Sequence, residues 1–224
     1  MSAMEPGTAP SLRSARRRTE RHQWSVLSVV VVLIVGQSWV AQTLGLQPWW
    51  LLPLAAAAMA LGSWAAILVP GRNERVDRAL GLTLVAVLAL GTVVSTIIFV
   101  ARIFLHSDLS PGALVATGAV LWAMGVGVFG MAFWELDGGG PVERCAERPG
   151  WHDFMFPQHQ PDVDPGWSPT FGDYLYVSLT NAAAFSPTDT MPMSRRAKAV
   201  MGVHSVMSAA ILVVLVARAV NIAK

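Results

Sequence analysis

Five stretches of this 224-residue chain run for about 20 positions with almost no charge, and that length limits what the chain can become. The stretches are 24–43, 49–69, 80–105, 112–134 and 199–221. A bilayer core is about 30 Å thick, and a helix of about 20 apolar residues crosses it. In lipid only helices or closed barrels satisfy their own backbone, and runs this long and apolar mean helices. Composition agrees: 13% of residues are charged, against about 25% in ordinary soluble domains. The expected fold class is an all-α membrane protein with five transmembrane helices.

The basic residues fall in clusters. Arg13, Arg16, Arg17, Arg18 and Arg21 crowd the tail 1–23. Arg72, Arg75 and Arg78 lie in the turn after the second run, Arg144 and Arg148 in the long loop, and Arg195, Arg196 and Lys198 before the last run. Positive residues favour the cytoplasmic side, which puts all four clusters and the N-terminus there, in a multi-pass protein of the cell membrane. Arg102 and Arg218, near the outer helix ends, can snorkel outward. No aromatic-interleaved basic fold accompanies the tail, so no nucleic-acid partner is expected. Trp39 stands where cleavage after Ala41 would want a small residue, so the first run reads as an uncleaved span. Four spans in 24–136 then lead into a cytoplasmic loop, 137–170.

The segment 171–192 is different. Ser168 or Thr170 can cap a helix, with Pro169 tolerated in its first turn and Asp173 suited to its dipole. The apolar run from Tyr174 to Phe185 reaches only about 18 Å as a helix, too short to span. Pro187 stops it, and "SPTDTMP" must be irregular backbone. The expectation is one short re-entrant or interfacial helix and a turn, followed by the fifth transmembrane helix and C-terminus in 193–224.

A short helix, an irregular turn, an Asp, a Pro and a long span follow the order of a pore loop. The segment from Tyr174 to Asn221 resembles the pore module of the two-span potassium channel superfamily, with "FSPTDTMP" at the filter position and Asp189 and Pro192 at the family's Asp and Pro. The resemblance implies Ser186, Thr188, Asp189 and Thr190 as pore-loop candidates, symmetric copies of the chain around the pore, and a monovalent cation. Ser186 and Thr188 stand where a potassium filter needs glycine, and the loop enters from the cytoplasmic side, so a potassium filter is not expected. The whole chain is similar to an uncharacterised family of bacterial, especially actinobacterial, integral membrane proteins. "FWELDGGGP" (133–141), "DYLYVSLTNAAAFSPTDTMP" (173–192) and "ARAVNI" carry that likeness, which implies a multi-spanning inner-membrane protein.

Other candidates have plain alternatives. His204, with Ser205 and Ser208, is an intramembrane polar group, read as functional or as a hydrogen-bond partner of a neighbouring helix. Glu135 and Asp137 end the fourth span beside "GGGP", read as a cation vestibule or as a helix end paired with nearby Arg. "HDFMFPQHQPDVD" offers His152, Asp153, His159, Asp162 and Asp164, but its spacing matches no metal motif, and a solvated loop is expected. Cys145 is the only cysteine, read as a free loop thiol. No Ser-His-Asp set, P-loop or HExxH appears, so no enzyme chemistry, metal or cofactor is expected. Two functions stay open: a channel-like or transport protein with a degenerate pore loop, or a non-conducting membrane subunit or scaffold whose loop is a structural plug. Bilayer lipids are the partner in both.

Overall fold

The computed structural model describes residues 12–67, 74–105, 110–145, 152–160, 167–184 and 189–222, which hold seven α-helices, two short 3-10 turns (Asp137–Gly139 and Pro157–His159) and one two-stranded pairing. The helices are α1 (Leu12–Thr43), α2 (Leu51–Ile67), α3 (Glu74–Leu105), α4 (Pro111–Leu136), α5 (Pro141–Cys145), α6 (Phe171–Ala184) and α7 (Arg195–Ile222). Strands β1 (Phe154–Met155) and β2 (Met191–Pro192) pair antiparallel. Four segments are long and apolar enough to cross a membrane: Ser25–Thr43, Arg78–Leu105, Pro111–Gly139 and Arg195–Arg218. The run expected at 49–69 falls short of that mark among the described residues. Its helix, α2, has 17 residues, about 25 Å, and its apolar part is Pro53–Gly62. α1 begins at Leu12, so part of the basic tail belongs to the same helix as the first apolar run.

Local chemistry sets the helix ends. Gly45, at φ 60, closes α1, with the Leu46 N–H donating to Ala41 O and the Gly45 N–H to Gln42 O. This is a Schellman turn, and its left-handed residue is the one place where glycine is needed there. Ser110 caps α4, its Oγ accepting from Ala113 N, with Pro111 in the first turn. Gly138, Gly139 and Gly140, at φ 55, 87 and 98, reverse the chain after α4. Asp173 ties down the start of α6: its Oδ2 accepts from the Thr170 N–H at 2.6 Å and from the Thr170 hydroxyl at 2.7 Å. Pro169 therefore precedes the cap instead of occupying the first turn.

Close approaches at glycines fix the packing. A methyl at Gly36 would sit 3.0 Å from Met124 Sδ, and one at Gly127 3.3 Å from Leu33 Cδ2, so α1 and α4 are antiparallel. Gly118 against Leu215 and Gly125 against Met207 align α4 and α7 the same way. Gly81, near the start of α3, faces Glu135 at the end of α4. Small residues let helix backbones approach, and α4 uses them to touch α1, α3, α6 and α7. Val31, Val35, Leu90, Ile97, Val206 and Val213 are each more than half exposed, an outer surface suited to lipid.

α6 covers only half of α4. Its 14 residues reach about 21 Å. Phe171 packs edge-on to Trp134, Leu175 lies against Gly130, and Ser178 Oγ donates to Val126 O at 2.8 Å. α6 therefore runs antiparallel to α4 and ends beside its middle. β2 then brings the chain back to the end it left.

Gly130 and Gly202 should respond in opposite ways to added bulk. A Cβ at Gly130 would sit 3.2 Å from Leu175 Cα, a backbone atom that cannot rotate away, whereas Gly202 has nothing within 4 Å. Gly130→Val should lower stability in detergent by about 1–3 kcal/mol. Gly202→Ala should raise it by about 0.5–1 kcal/mol, since it only removes glycine's backbone freedom in a helix. Melting curves of the two variants check both signs.

Candidate functional site

Two groups of polar side chains tie the 137–196 region to the bundle. The first is centred on Asp137, which caps the C-terminal end of α4 and is fully buried. A carboxylate there faces the negative end of the helix dipole, so it needs donors. Oδ1 accepts from Asp153 N at 2.6 Å and Phe154 N at 3.1 Å, and Oδ2 accepts from the Tyr174 hydroxyl. His152 Nδ1 lies 4.0 Å from Oδ2. Burial pushes the Tyr174 hydroxyl far above its ordinary pKa, with Arg144 opposing and Asp137 adding, so it stays protonated and donates.

Arg144 completes the helix end. Its Nη1 donates to Trp134 O at 2.7 Å and Asp137 O at 2.5 Å, two carbonyls that α4 cannot satisfy internally. Its guanidinium lies over Trp134 at 4.5 Å and Tyr174 at 5.1 Å. The loop returns the contact to α4: Asp153 Oδ2 accepts from Gly138 N at 3.3 Å. Arg196, in the first turn of α7, grips Asp153 with two bonds, Nε to Oδ1 at 2.7 Å and Nη2 to Oδ2 at 2.5 Å. Asp153 also places negative charge at the start of a helix whose first turn holds no acid. Burial raises the Asp153 carboxyl pKa, but the Arg196 and Ser194 side chains and the Gly138 N–H hold it below the ordinary aspartate value.

The second group lies where α6 ends beside α4 and α7. Asn181 Nδ2 donates to Met201 O at 3.1 Å and lies 3.3 Å from His204 Nδ1, while Ser205 Oγ donates to Asn181 Oδ1 at 3.1 Å. The His204 ring stacks on Phe129 at 4.3 Å and is fully buried. The hydrogen bond to a neighbouring helix is thus present.

The other sequence candidates are dispersed. Ser186 and Thr188 lie outside the described residues. Asp189 is exposed beside β2, and Thr190 is buried with its Oγ1 donating to Asp189 Oδ1 at 3.3 Å, so these two flank the bundle end and not its middle. The Glu135 carboxylate lies against Gly81 of α3, with Arg144 and Arg78 acting on it electrostatically. Asp137, enclosed by its donors, does not line a vestibule. The loop expected to be solvated carries fully buried Asp153 and Phe154 and buried Phe156. Its His152 and His159 rings stack at 4.7 Å, and His159 Nδ1 accepts from Phe156 N. Burial and then His152 lower the His159 pKa against the pull of Asp137, consistent with that acceptor role. Among the described residues no three His, Cys, Asp or Glu gather to hold a metal, and Asp162 and Asp164 lie outside them.

Sequence reasoning did not assign Asp153, Arg196, Tyr174 or Asn181. The one available signal was Asp137 itself, placed directly before three glycines that fold the chain back over it. No protein family, curated protein or solved structure matches this chain.

Removing Asp137 should cost more than removing Asp153. Asp137→Ala leaves two backbone N–H groups and a buried hydroxyl without their acceptor, at about 1–3 kcal/mol each. Asp153→Ala leaves half-exposed Arg196, which water can reach, and should cost about 1.5–3 kcal/mol. Acid should reveal the same bond. A carboxyl with a depressed folded pKa stabilises fully above its unfolded value of about 3.9, and that stability is lost as pH falls through the folded value. Below about pH 4 the wild type should lose melting temperature faster than Asp153→Asn.

Proposed function

We propose that this chain is a multi-pass protein of the cell membrane whose 171–192 segment is a re-entrant half-helix held as a structural plug, making it a non-conducting subunit or scaffold. In this reading the N-terminus is cytoplasmic, α2 with its flanking residues is the fifth span, and α6 enters from the cytoplasmic side. The observation that carries it is how the inward polar groups of α6 are used. Ser178 is bonded to α4, and Asn181 to α7 and its side chains, which leaves no unsatisfied polar row along the half-helix. The Asp153–Arg196 bond then holds the residue before β1, the partner of returning β2, to the first turn of α7. No catalytic role is assigned to Asp137 or Asp153, whose oxygens are occupied by backbone N–H groups, Tyr174 and Arg196.

One observation favours the channel-like reading. α6 enters and β2 returns in the order of a pore loop, and Asp189 is exposed where the loop leaves the bundle. Symmetric copies would then enclose a pore for a monovalent cation. Liposome flux separates the two. In the plug reading, purified protein carries no potassium or sodium flux above that of empty liposomes, and Asp189→Asn changes stability by less than about 0.5 kcal/mol. A wild-type flux that Asp189→Asn alters would replace the plug with a channel.

Orientation has its own test. A membrane-impermeant thiol reagent should leave Cys145 unlabelled in intact cells and label it after permeabilisation. Cys145→Ser with Asp108→Cys should label in intact cells. The opposite pattern would reverse the topology and bring the loop in from outside.

A further inference from the structure

The Asn181 amide is oriented by partners that cannot change roles. A backbone carbonyl only accepts, so the Met201 contact fixes the amide nitrogen on that side. The same nitrogen, 3.3 Å from His204 Nδ1, then donates to it. Nδ1 must therefore be the unprotonated nitrogen, and the imidazole is neutral with its proton on Nε2. Among the described residues Nε2 has no hydrogen-bond partner of its own.

Among the described residues no acid compensates a charge on this ring. α4 presents Gly125, Phe129 and Phe133 to it, and α6 presents Asn181. α7 itself carries Ser205 and Ser208 nearby, and its Arg196 is taken by Asp153. α3, also packed on α7, has the hydroxyls of Thr92, Ser95 and Thr96 as its buried polar groups, and β2 is Met191 and Pro192.

We propose that Asn181, His204 and Ser205 form a proton-sensitive latch that fastens α6 to α7. A proton added at Nδ1 sets two donors face to face, and the Asn181–His204 bond is lost. The amide cannot recover it by flipping, because its oxygen would then meet the Met201 carbonyl oxygen. Protonation therefore loosens the end of α6 from α7, whether or not the loop conducts.

The test places a buried thiol next to this contact. Ala182 is fully buried beside Asn181, and Cys145→Ser with Ala182→Cys makes position 182 the only thiol. A pyridyl-disulfide reagent, reactive with thiols in acid, would be applied from about pH 8 to about pH 4, bracketing the ordinary histidine value of about 6.5. Position 182 should be protected at the neutral end and react at least about tenfold faster at the acid end, about 1.4 kcal/mol of opening. Adding His204→Gln, which cannot gain a proton, should remove that rise. An equal rise with His204→Gln would assign the opening to another group and overturn the latch. Should His204→Gln not fold, nitrogen chemical shifts of His204 in the parent protein decide. A ring that titrates while position 182 stays protected overturns the proposal, and so does protection across the whole range.

Discussion

A carboxylate with no solvent exposure, placed at the negative end of its own helix, is the constraint that organises this protein. Asp137 is unfavourable there on two counts, burial and the α4 dipole, unless several donors converge on it. The chain brings them from distant positions: the N–H groups of Asp153 and Phe154, the Tyr174 hydroxyl, and Arg144 on the adjoining carbonyls. The donors come from three stretches of chain. Satisfying one side chain therefore fixes the loop after α4, the start of α6 and, through Asp153 and Arg196, the start of α7.

Glycines make this convergence geometrically possible. Gly138 to Gly140 turn the chain so that α5 lies back under α4, and Gly130 lets the α6 backbone approach where a side chain would hold it off. α6 then finds partners along its inward face, Ser178 on α4 and Asn181 on α7. Its short length causes no shortfall, since its work is lateral contact with two longer helices. An aromatic group of Phe133, Phe154, Phe156 and Tyr174 fills the space beneath the polar network, with ring centroids 5.1–6.2 Å apart.

The apolar spans were legible because hydropathy and length act locally, and four survive as long apolar helices. Two helix ends were legible too: the glycine run after Asp137, and Thr170 with Asp173, each act within one turn. The second run is not confirmed as a span: its described helix, α2, has 17 residues with an apolar part of Pro53–Gly62. The polar loop was misread as solvated because Pro, Gly and charge are what loops and buried clamps share. The Asp153–Arg196 bond joins residues 43 positions apart and Asp137–Tyr174 joins residues 37 apart. No periodicity links such pairs. Asn181, inside "LTNAAAF", gives no sign that its partners lie one helix later.

That order along the chain bears on how the protein is made. α4 is already in place when α6 leaves the ribosome, so Ser178 can dock on Val126 at once. The partners of Asn181 lie 20, 23 and 24 residues downstream. At about 5–20 residues per second they follow about one to five seconds later. Through that interval the Asn181 amide lacks those partners. Its final seat therefore exists only once α7 has followed.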